Sequence, residues 1–112
     1  MKTRIYLDNA ATTRTSQEVV DAMLPYFTES YGNPSSIYEL GQRSKEAITK
    51  AREEIAQVIG AKTEEIYFTA GGSEADNWAI KAAYEAYKNK GNHIITTKIE
   101  HHAVLHTCQY LE

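Results

Sequence analysis

Residues 68–77 read FTAGGSEADN. A short β-prone run, residues 66–69, meets an alanine-rich helical run at Gly71 and Gly72. Glycine has no Cβ, so the backbone there can take positive φ, turn sharply and approach a ligand closely. Ser73 is expected at the N-cap of the following helix, its hydroxyl placed for a backbone N–H or a phosphate oxygen. A helix start adds unpaired N–H groups and a partial positive charge. Together these features describe an anion site, for which phosphate is the usual occupant. They also describe an ordinary strand-to-helix turn that caps its own helix, and the local pattern alone favours that plainer reading. The stretch matches neither a Walker A loop nor the dinucleotide fingerprint GxGxxG. Glu74 and Asp76 suit the helix dipole, but they must point away from any bound anion.

Working outward, the helix after the turn carries Trp78 and a small-residue face of Ala75, Ala79, Ala82, Ala83 and Ala86. Gly91-Asn92 ends it, and residues 93–97, HIITT, read as the next strand. Val104, Cys108 and Leu111 mark one face of a last helix. The order from Ile66 is strand, helix, strand, helix, the βαβ signature of an α/β fold with a parallel sheet. Upstream, Ile5 to Leu7 is a short β-prone run. Thr15 and Glu18 have capping-box spacing, and Val19, Val20, Met23, Leu24 and Phe27 recur at helical intervals. Pro25 predicts a kink or an early end. The breaker cluster YGNPSS, residues 31–36, precedes a second possible capping box at Ser36 and Glu39. Gly41 weakens the first turns of the helix that follows. Ile48, Ala51, Ile55, Val58 and Ile59 give that helix its apolar stripe, and Gly60 is its expected stop.

In an open parallel sheet, ligands gather beyond the carboxyl ends of the strands. TTKIEHHAVLH lies at such an end, as does GGSE, so His101 could share a crevice with Gly72 and Ser73. A histidine there can serve as an acid/base group or as a flat partner for a ring. It can also simply bond the backbone at the start of its helix. His102 and His106 stand four apart, a spacing able to chelate zinc, but the motif is not HExxH and no third ligand at suitable spacing accompanies them. No metal is expected. Cys108 reads as a packing residue on an apolar face, and Lys98 as a solvated lysine.

The chain has 112 residues, 42% of them hydrophobic, which suits one small globular domain. A net charge of −3, with acids and bases interspersed, gives no electrostatic case for nucleic acid or an anionic membrane. Eight tyrosines without a basic groove are core and interface residues rather than a base-stacking surface. The single cysteine excludes an intramolecular disulfide and suggests a reducing, cytoplasmic setting. No apolar run has the make-up of a signal peptide or a membrane span.

Four blocks in this order, IYLDNAATT, YGNPSS, EIYFTAGGSEADNWAIK and HIITTKIEHHAVL, resemble the N-terminal part of the NifS/IscS-type cysteine desulfurases. The resemblance runs along essentially the whole chain. It implies a partial fold-type I pyridoxal-phosphate transferase large domain, of the aminotransferase class V kind, with βαβα preceded by helices. Residues 1–14 would join the small domain of the complete enzyme, and residues 15–112 would begin the large, cofactor-binding domain. The implied activity converts L-cysteine to L-alanine and an enzyme persulfide, for iron–sulfur cluster assembly or other sulfur transfer. The implied partners are a sulfur-acceptor protein, such as an iron–sulfur scaffold, and a second copy in a homodimer.

By the same resemblance, Gly72 and Ser73 match the positions that hold the cofactor phosphate, where relatives often have Ala-Thr. His101 matches the histidine that stacks on the pyridine ring and is proposed to help in proton transfer. His102 falls where relatives often have lysine and receives no catalytic task. The LDNAATT loop gives Asn9 a weak claim to a supporting role. The cofactor-bonding lysine, the aspartate that pairs with the pyridine nitrogen and the cysteine of a mobile loop fall beyond this chain in such enzymes. Cys108 is not that nucleophile, and this chain alone is expected to be an inactive fragment. A selenocysteine lyase, a class V aminotransferase, or a non-catalytic phosphate-binding or assembly module are the alternatives.

Overall fold

The computed structural model describes residues 5–112, so part of the 1–14 segment lies outside the described residues. The chain forms two compact units, Met1–Ile66 and Tyr67–Glu112.

In the first unit, α1 (Gln17–Met23) is capped by Ser16 rather than Thr15, whose spacing to Glu18 suggests the cap. The Ser16 hydroxyl accepts the Val19 N–H at 3.4 Å. Glu18 is held below the usual carboxylate range, first by a backbone N–H and then by Ser16. The helix stops at Pro25, as its ring predicts, and Pro25 opens the short α2 (Pro25–Thr28). At a first helical position the missing N–H costs nothing.

The long helix α3 (Glu39–Ile59) is capped by Tyr38 without any side-chain bond, so the Ser36–Glu39 box is not used. Ser36 acts through its backbone instead. Its carbonyl accepts the Gln42 side-chain amide at 2.7 Å, and its N–H donates to the Asn33 carbonyl at 2.9 Å. Asn33 Oδ1 accepts the Ser35 N–H at 2.9 Å, closing the breaker cluster on itself. The Ser44 hydroxyl, buried, donates to the Ser30 carbonyl at 3.3 Å. These bonds bring the loop against the first turns of α3. A Cβ on Gly41 would stand 2.6 Å from the carbonyl oxygens of Asn33 and Ser36. The residue that weakens α3 by propensity is therefore the one that lets the loop dock. Gly60, at φ 70, ends α3 in the left-handed region that glycine tolerates. A short 3-10 turn (Thr63–Glu65) follows.

In the second unit, α4 (Gly72–Tyr87) and α5 (His102–Leu111) pack against each other. Ala103 and Thr107 are buried on α5. Trp78 on α4 meets the Tyr67 ring edge-on, with centroids 5.2 Å apart.

The expected βαβα order is corrected in one respect. No strand forms among the described residues; 66–69 and 93–97 run without regular structure, as do Ile5, Tyr6 and Leu7. A parallel strand exists only through the ladder it makes with a neighbour, and an isolated strand pair is marginal in water. The side chains of these runs show the consequence. Leu7 is 86% exposed and Ile95 86% exposed, while the buried hydrophobic residues among those described are Ala56 and Ala103.

Candidate functional site

The turn at the head of α4 differs in detail from its sequence reading. Gly71 is the N-cap, in extended backbone (φ 171, ψ 174), and the helix begins at Gly72. Ser73 therefore sits in the first turn, not at the cap, and neither glycine adopts the left-handed backbone that the turn suggests. The first intrahelical bond runs from the Ala75 N–H to the Gly71 carbonyl at 3.2 Å. The amides of Gly72, Ser73 and Glu74 lie ahead of it and point out of the helix start. A Cβ built on Gly71 or Gly72 would meet nothing within 4 Å. Glu74, the local anion of concern, folds back so that its carboxylate accepts the Ala70 N–H at 2.7 Å. It is thus committed one residue before the cap rather than to the amides of the first turn.

The second half of the site is the head of α5. His101 is its N-cap (φ −60, ψ 149), and its Nδ1 accepts the Ala103 N–H at 3.1 Å. That bond is the backbone role which the sequence reading leaves open, and it also sets the ring. With Nδ1 accepting, a neutral imidazole carries its hydrogen on Nε2. The ring itself is exposed.

The two halves meet. Ser73, Asn77 and Lys81 of α4 face His101, His102 and His106 of α5 across a cleft of about 400 Å³. Ser73 and His101, separated widely in sequence, thus line one cleft, as the sequence reading expects, although the strand ends behind that expectation are not formed among the described residues. Gly72, the first residue of α4, is not among the residues that line the cleft. Ser73, Asn77 and Lys81 follow one another at i, i+4 and i+8, one stripe of a helix. That periodicity was the available signal for Asn77 and Lys81, which sequence reasoning passed over. Lys81 Nζ lies 4.9 Å from the centre of the Tyr110 ring, a cation–π pair that holds the ammonium at the far end of the cleft.

The remaining candidates divide clearly. The His102 and His106 rings are 5.0 Å apart on the same cleft. Among the described residues, no group of three or more His, Cys, Asp or Glu is placed to hold a metal ion. Cys108 is half-buried on α5 and lines a different cleft, with Ile94 and Leu105. Lys98 is exposed in the turn before α5. Asn9 belongs to the first unit, in a turn closed by the Ala11 N–H on the Asp8 carbonyl at 3.1 Å. No helix among the described residues is long and apolar enough to cross a membrane.

Comparison with known proteins bears on this geometry. The chain is 62% identical over 108 residues to cysteine desulfurase IscS of Methanosarcina thermophila, a match covering 96% of this chain and 27% of that protein. It is 57% identical over 112 residues to cysteine desulfurase IscS of Clostridium botulinum, covering 100% of this chain and 28% of that protein. A solved NifS-like protein superposes with a TM-score of 0.89 at 42% identity, over 97% of this chain and 30% of that one. The chain is thus similar in fold to a NifS-like protein, although no strand ladder is made among the described residues. The chain spans 27–28% of the length of these curated relatives. The family description Aminotransferase class-V matches residues 5–112, nearly the full length, and the chain belongs to that family.

Proposed function

We propose that this chain is the N-terminal part of a pyridoxal-phosphate-dependent cysteine desulfurase, which converts L-cysteine to L-alanine and leaves an enzyme persulfide for sulfur transfer. One observation carries the reading: Ser73 and His101 line a single cleft. The 62% identity to a protein named cysteine desulfurase IscS supports the choice of substrate.

The residues present fit the cofactor. A phosphate dianion needs several donors without competing carboxylates. The amides of Gly72, Ser73 and Glu74 lie ahead of the first helical bond, the Ser73 hydroxyl adds a donor, and the Glu74 carboxylate is engaged at Ala70. His101 offers an exposed ring whose orientation is fixed by its bond to Ala103. Pyridoxal phosphate, when bound, supplies the electron sink that labilises bonds at the substrate carbon. The work of this chain is then to hold the phosphate at the head of α4 and to present the His101 ring, with an Nε2 hydrogen, to the pyridine. Proton transfer by His101 belongs to the same reading. So do a small-domain role for residues 1–14 and a large-domain role for residues 15–112. Family resemblance supports a homodimer, an iron–sulfur scaffold as sulfur acceptor and a cytoplasmic location.

The test compares the full-length protein with residues 1–112 alone, each given pyridoxal phosphate and L-cysteine. The full-length protein should release alanine and the 112-residue chain should release none. Turnover by the short chain would sink the fragment reading. Alanine formed from selenocysteine but not from cysteine would replace the desulfurase with a lyase. In the full-length protein, His101→Ala should lower kcat by at least about 100-fold, the usual scale for an acid–base group. His106→Ala should change it far less.

A further inference from the structure

We infer that Asn77 is a positioning residue that fixes the distance between the phosphate cup and His101. The inference rests on the cofactor reading above and concerns what sets the spacing of its two halves.

Its basis is a pair of hydrogen bonds from one amide group. Asn77 Nδ2 donates to the Ser73 carbonyl at 2.9 Å, within α4, and to the Ala103 carbonyl at 3.5 Å, across to α5. The two acceptors identify the nitrogen, because only the NH₂ end can face two carbonyl oxygens. Asn77 is half-buried on the cleft wall. Each acceptor belongs to one half of the site. Ser73 supplies an amide and a hydroxyl to the cup. Ala103 supplies the N–H that orients His101 through Nδ1. The Ala103 carbonyl is anchored from its own side by the Thr107 hydroxyl at 2.7 Å, and both residues are buried. A single side chain thus connects the residue that would bind phosphate with the residue that aims the ring.

A ligand that touches both halves is sensitive to their spacing, whereas a ligand that touches one is not. This separates positioning from simple support of the fold. Pyridoxal phosphate spans cup and ring; inorganic phosphate occupies the cup alone. Losing both bonds of the Asn77 amide, the short one within α4 and the long one to α5, should weaken the spanning ligand by up to about ten-fold.

The experiment uses the full-length protein stripped of cofactor, with titration calorimetry for pyridoxal phosphate and for inorganic phosphate. Asn77→Asp keeps the shape and removes the donor; Asn77→Ser keeps a donor too short to span the helices. Both variants should bind pyridoxal phosphate about ten-fold more weakly. Asn77→Ser should bind inorganic phosphate within about two-fold of the unaltered protein, whereas Asn77→Asp should bind it more weakly through its added charge. The ¹⁵N spectrum of His101 should show the Nε2–H form in the unaltered protein and a mixture in Asn77→Ser. If Asn77→Ser weakens both ligands equally, Asn77 only supports the cup and the inference is overturned. Unchanged affinity for pyridoxal phosphate in both variants overturns it as well. If the unaltered protein binds neither ligand, the cofactor reading itself fails, and that outcome is distinct from the other two.

Discussion

Two glycine-bearing turns in this molecule use the same residue for opposite ends. Where the YGNPSS loop docks on α3, glycine on both sides makes room for the protein's own backbone. The Cβ that Gly41 lacks would stand 2.6 Å from two carbonyl oxygens, and a Cβ on Gly32 would collide with the Leu40 carbonyl. In the GGSE turn, a Cβ on either glycine would meet no atom within 4 Å. The first turn is filled by its own chain; the second faces outward with three helix-start amides. Glycine content alone therefore says little about ligand binding. What distinguishes the cases is whether the space a side chain would take already belongs to the protein.

The largest effect should come from breaking this contrast directly. Helix propensity favours alanine over glycine inside a helix by about 1 kcal/mol. At Gly41 the steric term should win, and Gly41→Ala should destabilise the full-length protein by about 1–3 kcal/mol. A lowered urea midpoint with unchanged slope would show it. Gly72→Ala, with open space where the Cβ would stand, should stay within about 0.5 kcal/mol. A neutral Gly41→Ala would remove the distinction between the two turns.

A smaller effect sharpens the comparison of what each turn contributes. His101 both caps α5 and faces the cleft, so His101→Ala should cost about 1 kcal/mol of stability from the cap alone. His101→Asn keeps an N-cap acceptor and should recover most of that loss in thermal melts. Turnover should stay low in both, because asparagine offers neither a ring nor a proton of the same kind. Recovery of turnover by asparagine would mean that the cap, not the imidazole, is what the site needs.

The smallest effect belongs to the first unit. The Glu18 carboxyl lies below its usual range in the folded chain. In the acidic window between its folded and unfolded values, the unfolded chain binds more protons, so stability rises with pH there. Acidification through that window should fray the start of α1, seen as lower protection of the Val19 and Val20 amides relative to their intrinsic exchange rates at each pH. Ser16→Ala should diminish that response, since the serine hydroxyl is the second cause of the shift.

Much of this was legible in the chain. The stop at Pro25, the left-handed end at Gly60 and the helix after GGSE follow from local patterns, while the convergence of Ser73 with His101 is read from the order of elements. What was not legible depends on partners outside the local pattern. Residues 66–69 and 93–97 have strand chemistry, yet a strand is a relation between segments and no ladder forms here. Capping positions slipped by one or two residues, from Thr15 to Ser16 and from Ser73 to Gly71. A cap is decided by backbone direction at one residue, and several neighbours carry suitable side chains. The i, i+4, i+8 stripe marks Asn77 as a cleft residue, but its bond to the Ala103 carbonyl of another helix shows in no spacing along one helix.

The Ala103 carbonyl accepts side-chain donors from two helices, Thr107 at 2.7 Å and Asn77 at 3.5 Å. Two side chains that share an acceptor are not free to vary independently. A change that pulls the carbonyl toward one donor lengthens its bond to the other, so substitutions at 77 and 107 should be non-additive in a double-mutant cycle. Over longer times the same coupling makes these positions a pair, altered together or not at all, and their joint variation across relatives would record the contact between α4 and α5.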